Sequence, residues 1–312
     1  MLKKPNELNF SSKKLKMIIA GYPGIGKTTL GLSAPRPLLI DLDKGVDRVE
    51  ARYRKDVILV DDYNELVKDL TTNDLSTYDT IVIDTGGKLL DLLKPQVILE
   101  NPKNGQKDGT LALAGWGAIS RKFSDFMKLV EGLNKHLVVI FHSKEERDGD
   151  ETKLRILVEG STRDNIWQMM DLGGFVEMTG KQRTIGFSNC EKYYAKGTHG
   201  IKGVYTIPDL RDGASNTFLT DLFNKVIQDL QNEVTTYAKE KDVYDKAMLT
   251  TQFIDKANSV EHINKLVERI KTMEHALTSE KELKLLVHEK AKQLSLGYDK
   301  DKGQYTYVEQ QK

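Results

Sequence analysis

Residues 21–29 read Gly-Tyr-Pro-Gly-Ile-Gly-Lys-Thr-Thr, a complete GxxxxGK[ST] pattern. An apolar run, Met17-Ile18-Ile19-Ala20, precedes it, and a stretch able to open a helix follows. Strand, glycine-rich turn and helix start in that order leave few folds open, because the turn must lie at the carboxyl end of a buried strand. Gly24 and Gly26 permit backbone angles that side chains disfavour. Main-chain N–H groups can then face a phosphate chain near a helix start. Gly21, Tyr22, Pro23, Gly24, Ile25, Gly26, Lys27, Thr28 and Thr29 are therefore assigned to nucleotide binding. Lys27 is placed on the β- and γ-phosphates and the Thr28 hydroxyl on Mg²⁺.

The apolar runs that follow are continuous rather than alternating, and helical stretches separate them. Leu38-Leu39-Ile40, Val57 to Val60, Thr80-Ile81-Val82-Ile83 and Leu137-Val138-Val139-Ile140-Phe141 read as further strands. Such runs predict a mostly parallel sheet with helices on both faces. Helices are expected over about 28–33, closed by Pro35 and Pro37, and over 46–54, 63–70 and 87–99. The strongest is over 116–133, where Trp116, Ile119, Phe123, Phe126, Val130 and Leu133 share one face. Residues 100–114 read as a loop. Beyond 143, a charged stretch with a turn at Gly149 leads into a β-rich extension over 174–189 and 203–207.

Four segments are expected: a flexible one over 1–14, a core over 15–228, a helical region over 229–296 and a polar, disordered tail over 297–312. Tyr298, Tyr305 and Tyr307 are available in that tail for docking. No apolar run approaches the about 20 residues of a membrane span. The Lys-rich N-terminus lacks the apolar centre of a signal peptide. One cysteine, Cys190, excludes an internal disulfide and is read as a small strand residue. These points predict a cytoplasmic protein with no membrane partner. The net charge of +1 places any nucleic-acid contact in local patches, such as 1–16 and 181–202, rather than in a basic excess.

The sheet places further chemistry at the same edge. Asp84 ends an apolar strand and suits a carboxylate that holds Mg²⁺ through its water shell. Asp43 lies just past another strand end and is the first candidate to orient or deprotonate an attacking water. Asp41 is the alternate, and one of the two is free to cap the helix that follows. His142 ends the strand expected beside that of Asp84, where a polar group can touch the γ-phosphate.

Ile40-Asp41-Leu42-Asp43-Lys44-Gly45-Val46-Asp47-Arg48-Val49-Glu50-Ala51-Arg52 resembles the segment that follows the phosphate-loop helix in RecA recombinases. Ile81-Val82-Ile83-Asp84-Thr85 resembles their Walker B strand, and His142 falls where they carry a γ-phosphate-sensing glutamine. The resemblance is closer to phage-encoded RecA-like ATPases, which pair this phosphate loop with Pro37-Leu38-Leu39-Ile40-Asp41 after a short helix and carry a late Ala195-Lys196-Gly197 element. That group includes single-strand annealing recombinases of the RecA/Rad type. The resemblance covers roughly residues 15–210.

It implies a RecA-like P-loop NTPase core with a β-rich extension and a small C-terminal helical domain. It implies ATP and Mg²⁺ as cofactors, with Asp43 in place of a catalytic glutamate, Asp47 near the adenine and Lys196 on nucleotide, across a subunit boundary in a homo-oligomer. It implies single-stranded DNA as partner in recombination or replication, met by segments 100–115 and 143–163, with Arg155 and Arg163 as the better contacts. If the chain is phage-encoded, the location is the host cytoplasm. A different class of reading is an ATP-dependent adaptor whose C-terminal helices grip a single-strand-binding protein or a helicase. A small-molecule kinase is a third, weakened by the lack of an arginine-rich lid.

Overall fold

The computed structural model describes residues 2–308 apart from positions 150 and 159. It divides into two compact units, one of Ser11–Asp229 and one of Met1–Phe10 with Leu230–Lys312.

In the larger unit, β1 (Lys16–Gly21), β2 (Pro37–Asp41) and β4 (Thr80–Asp84) are almost wholly buried along their length. With β3 (Val57–Ile58), β5 (His136–Asp148) and β7 (Leu172–Thr179) they form a parallel array in the order β3-β2-β4-β5-β1-β7. This is the α/β class expected from continuous apolar runs. β8 (Gln182–Gly186) and β9 (Val204–Thr206) extend the array antiparallel beyond β7.

Helices cover both faces. α1 (Lys27–Gly31) lies over Val82 and Ile140, close enough that a Cβ on Gly31 would press on their side-chain tips at 3.0 and 3.1 Å. The opposite face packs Leu66 and Leu70 of α2 (Tyr63–Thr72), Leu89 and Leu93 of α3 (Gly86–Glu100), and Ile119, Phe123 and Phe126 of α4 (Leu113–Gly132) onto Ile83, Val139 and Phe141. The face expected for α4 is the buried one, and Trp116 and Leu133 flank it half-buried.

Several local expectations are corrected. Residues 46–54 are two 3₁₀ turns, Val46–Arg48 and Ala51–Tyr53, rather than one helix. The Asp41 carboxylate takes the N–H groups of Gly45 and Val46 and so sets a turn at their start. The charged stretch from 143 is a paired hairpin around the expected turn, and His142 does not end its strand. β5 runs straight through His142 and pairs antiparallel with β6 (Glu151–Ile156), before α5 (Gly160–Met169). Cys190 is exposed and lies after β8, not within a strand.

The smaller unit takes most of α6 (Phe218–Met248), then α7 (Thr251–Lys256), α8 (Val260–Thr272) and α9 (Ser279–Gln293). Ile254, Ile263, Leu266, Ile270, Leu283 and Val287 form its core. The disorder expected from 297 onward is corrected over the described residues. β10 (Leu296–Asp299) and β11 (Gln304–Tyr307) pair as a hairpin that buries Tyr305 in that core. Polar composition concealed it because only one tyrosine and one leucine carry the contact. Residues 309–312 of the expected tail lie outside the described residues.

The start of α3 sits hard against the sheet. A Cβ on Gly86 would collide with the Phe141 ring and come within 2.7 Å of Val139 Cγ1. Overfilling such a contact costs about 1–3 kcal/mol. Gly86→Ala should lower the unfolding free energy by that amount, read as a lower urea midpoint with an unchanged denaturant slope, and an unaltered midpoint would show that the contact yields freely.

Candidate functional site

Four strands bring groups to the carboxyl edge of the parallel array. β5 lies between β1 and β4, so the Gly21 turn, His142 and Asp84 come from neighbouring strands, and Asp43 follows β2 on the far side of β4. They surround a cleft of about 350 Å³ lined by Pro23, Gly24 and Gly26 to Thr29 of the loop and by Asp43, Gly45, Arg48, Val49, Asp84 and His142.

Gly24 and Gly26 take φ of +77° and +91°, conformations open to glycine at little cost. They hold the loop so that α1 begins at Lys27. Because α1 has only five residues, its dipole is small, and an anion here depends mainly on the loop's own amides.

Lys27 is buried, and its Nζ donates to the carbonyls of Gly21 at 2.9 Å and Tyr22 at 2.7 Å. Burial lowers its pKa to about 8, opposed by the charges of Asp84 and Asp43. Nζ also lies 3.3 Å from His142 Nδ1. Burial, and then the Lys27 charge, hold the His142 pKa below the usual histidine value. A neutral ring that accepts at Nδ1 carries its proton on Nε2, so His142 is a hydrogen-bond donor. Beside it, Ser143 Oγ is a buried polar atom without a partner.

The Thr28 hydroxyl donates to Asp84 Oδ2 at 2.5 Å. Burial raises the Asp84 pKa to about 6, further helped by Asp41 and Asp43 and opposed by the Thr28 bond and Lys27. Hydroxyl and carboxylate are hard oxygen donors of the type Mg²⁺ takes when phosphates and water complete its shell. Among the described residues no group of three or more His, Cys, Asp or Glu could hold a metal ion. These two donors therefore fit a Mg²⁺ that arrives with its phosphates.

The two carboxylates after β2 differ sharply. Asp41 is 1% exposed, with both oxygens spent on backbone N–H groups. Asp43 faces the cleft, anchored by its own N–H on the Asp84 carbonyl at 3.0 Å, and its carboxylate lies 3.6 Å from Arg48 Nη1. Asp43 is the one free to meet a ligand.

Of the residues expected on nucleotide, Gly21, Tyr22, Ile25, Asp47 and Lys196 do not line this chain's own cleft, and for Lys196 the expected contact is across a subunit boundary. Asp47 is exposed on the turn while Arg48 and Val49 line the wall. Lys196 points its ammonium at the carbonyls of Trp167, Gln168 and Met170, capping the carboxyl end of α5. Conversely, Arg183 of β8 is present and unforeseen. Its guanidinium packs on Gly26, where a Cβ would strike Nη1. The sequence marks Arg183 only as one of several basic residues over 181–202. Its place at the loop follows from the β1-β7-β8 pairing, which joins segments some 160 positions apart.

A family described as AAA domain matches residues 13–199, more than half of the chain. Among curated proteins nothing matches.

Asp84 yields a stability prediction. Its folded pKa of about 6 lies above the usual 3.8, so its protonation contributes stability that is fully present below about 4 and lost as pH rises through about 6. At neutral pH the ionised group costs on the order of 2–3 kcal/mol. Asp84→Asn should therefore raise the stability of the nucleotide-free protein by about 1–3 kcal/mol at neutral pH, and the gain should shrink toward zero near pH 4. Chemical denaturation of both proteins at the two pH values checks this. A variant less stable at neutral pH would refute the buried-charge assignment.

Proposed function

This chain belongs to the AAA domain family, and on that premise we propose that it is a RecA-like ATPase that binds ATP with Mg²⁺, hydrolyses it slowly and acts on single-stranded DNA in recombination or replication. The observation that carries the ATPase reading is the meeting of Lys27, Thr28, Asp84, Asp43 and His142 in one cleft over an amide-lined loop. No described helix is long and apolar enough to cross a membrane.

Each side chain then has a task. Lys27 exchanges the Gly21 and Tyr22 carbonyls for phosphate oxygens, and its dry setting strengthens that attraction. Thr28 and Asp84 hold Mg²⁺, which when bound offsets charge on the phosphates. His142 offers Nε2–H to the terminal phosphate. Arg183 adds a second cation at the loop. Asp43 orients the attacking water. Aspartate is one methylene shorter than the glutamate of the resembled family, and displacement near 1 Å can cost about a hundredfold, which is the ground for slow turnover.

The DNA part of the reading is supported by a second cavity of about 430 Å³, lined by Arg155, Arg163, Asp164, Trp167, Gln168, Tyr194 and Lys196. Arg155, Arg163 and Lys196 line it with one acid, Asp164; Arg163 pairs with Glu146 and Lys196 caps α5, so a phosphate enters by taking the place of those partners. Tyr194 is 41% exposed and stands edge-on to Trp167, with centroids 5.2 Å apart. Cationic walls beside an accessible aromatic suit a phosphodiester with a stacked base. The adaptor reading draws instead on a basic, apolar cup in the smaller unit.

Lys27→Ala should abolish ATP binding by calorimetry while the circular dichroism spectrum is kept. Asp43→Asn should keep binding and lose about a hundredfold or more in phosphate release. Normal turnover in Asp43→Asn would remove Asp43 from the chemistry. In filter binding with an oligothymidylate, affinity should fall steeply with salt, and Tyr194→Ala should weaken it about fivefold or more. Absence of salt-sensitive binding with and without ATP would eliminate the DNA role and leave the ATPase.

A further inference from the structure

In the smaller unit a cup of about 290 Å³ opens between α7 and α8. Its floor is apolar. Ala257 and Leu266 belong to the unit's core and are 4% and 6% exposed. One wall is Phe253, an aromatic ring left 51% exposed. The rim is Lys256, His262, Lys265 and Arg269, and no acidic side chain lines the cup.

This asymmetry is local. Residues 230–312 carry fourteen Lys and Arg against fourteen Asp and Glu, so the cations gather here without a basic domain behind them. The acids on the same two helices are turned to other tasks. Glu268 pairs with Lys271 at 2.7 Å, not with Arg269. Glu261 pairs with Lys265 at 2.7 Å, but both side chains are more than 70% exposed, so that pair is weak and exchangeable. Asp255 is exposed on α7 and does not line the cup. Arg269 lies over the Phe253 ring, 4.7 Å from its centroid, which covers one aromatic face and holds the guanidinium at the rim.

We propose that this cup docks an acidic peptide segment bearing one large apolar side chain. The side chain enters against Phe253 and Leu266, and the flanking carboxylates meet Lys256, Lys265, Arg269 and the ring of His262. The cup's volume sits at the lower bound of small-ligand pockets, room for an anchor side chain rather than a folded surface. Charge complementarity selects acid around that anchor. Single-stranded nucleic acid fits less well, because the floor is aliphatic and the cup has a single exposed phenyl ring, one face of which Arg269 covers. An anchor in a pocket with charges on the rim should bind at micromolar strength and be screened by salt. The inference rests on the smaller unit alone and not on the nucleotide site.

The test is fluorescence anisotropy with the full chain and a labelled peptide of aspartates in a Gly-Ser background ending in Leu-Phe. Binding should weaken about tenfold or more when the terminal Phe becomes Ser, when the aspartates become asparagines, and in the Arg269→Glu protein. Phe253→Ala should erase the preference for Phe over Ser at the peptide end. Lys27→Ala should bind the peptide as the parent does, which separates this inference from the ATPase reading. Arg269 and Phe253 are exposed, and an unchanged thermal melt keeps a lost signal from reflecting misfolding. No binding at about 200 µM peptide, equal binding of the anchorless peptide, or indifference to Arg269→Glu would each overturn the proposal. So would an oligothymidylate that takes the peptide's place with the same Arg269→Glu sensitivity.

Discussion

The structure turns on two opposite charges held in a nearly dry edge of the sheet. Lys27 and Asp84 are 5% and 6% exposed, and each is pushed toward its neutral form by burial. A buried charge is tolerated only where it is paired or hydrogen-bonded. Lys27 meets that condition with loop carbonyls and Asp84 with the Thr28 hydroxyl. Both sets of partners are groups that a magnesium triphosphate could replace. Such an arrangement lowers stability in favour of function, a pattern found where perturbed titrating groups cluster in a cleft.

Topology decides which groups share that edge. Placing β5 between β1 and β4 sets His142 beside the lysine rather than at the border of the sheet. Adding β7 and β8 on the other side of β1 carries Arg183 to Gly26. One short loop thus receives a neutral imidazole from β5 and a guanidinium from β8. The brevity of α1 makes those additions matter, since five residues supply little dipole of their own.

What the sequence made legible was local. The phosphate loop, the buried strands and the Asp84 strand end each follow from residues within a few positions of one another, and the apolar face of α4 follows from spacing alone. What stayed hidden depends on partners far along the chain or on the direction of a side chain. Asp41 and Asp43 are two residues apart and chemically alike, and only the N–H groups of Gly45 and Val46 separate a turn-former from a cleft residue. Asp47 lies next to the wall in sequence but outside it in space. Lys196 matched a short element by its neighbours, yet its ammonium answers to the carbonyls at the end of α5. The β10–β11 hairpin escaped because its few apolar residues pack on helices and give no run of their own.

β5 joins the cleft to the cationic cavity without a break. The same strand that presents His142 to Lys27 continues to Glu146, whose carboxylate accepts from Arg163 at 2.6 Å in the cavity wall. Between them, Glu145 accepts from the hydroxyl of Tyr22 in the phosphate loop at 2.7 Å. Loop and hairpin are therefore tied at two points, by Lys27 to His142 and by Tyr22 to Glu145. Contiguity of this kind is not coupling in itself, which needs an element with two arrangements that both sites bias. The contacts do identify where such an element would lie. Under the proposed function, phosphate oxygens compete for the lysine at one end and a phosphodiester for Arg163 at the other, and β5, paired with β6, runs between them. An exchange of partners at Lys27, Tyr22 and Arg163 is the route these contacts offer between the two cavities.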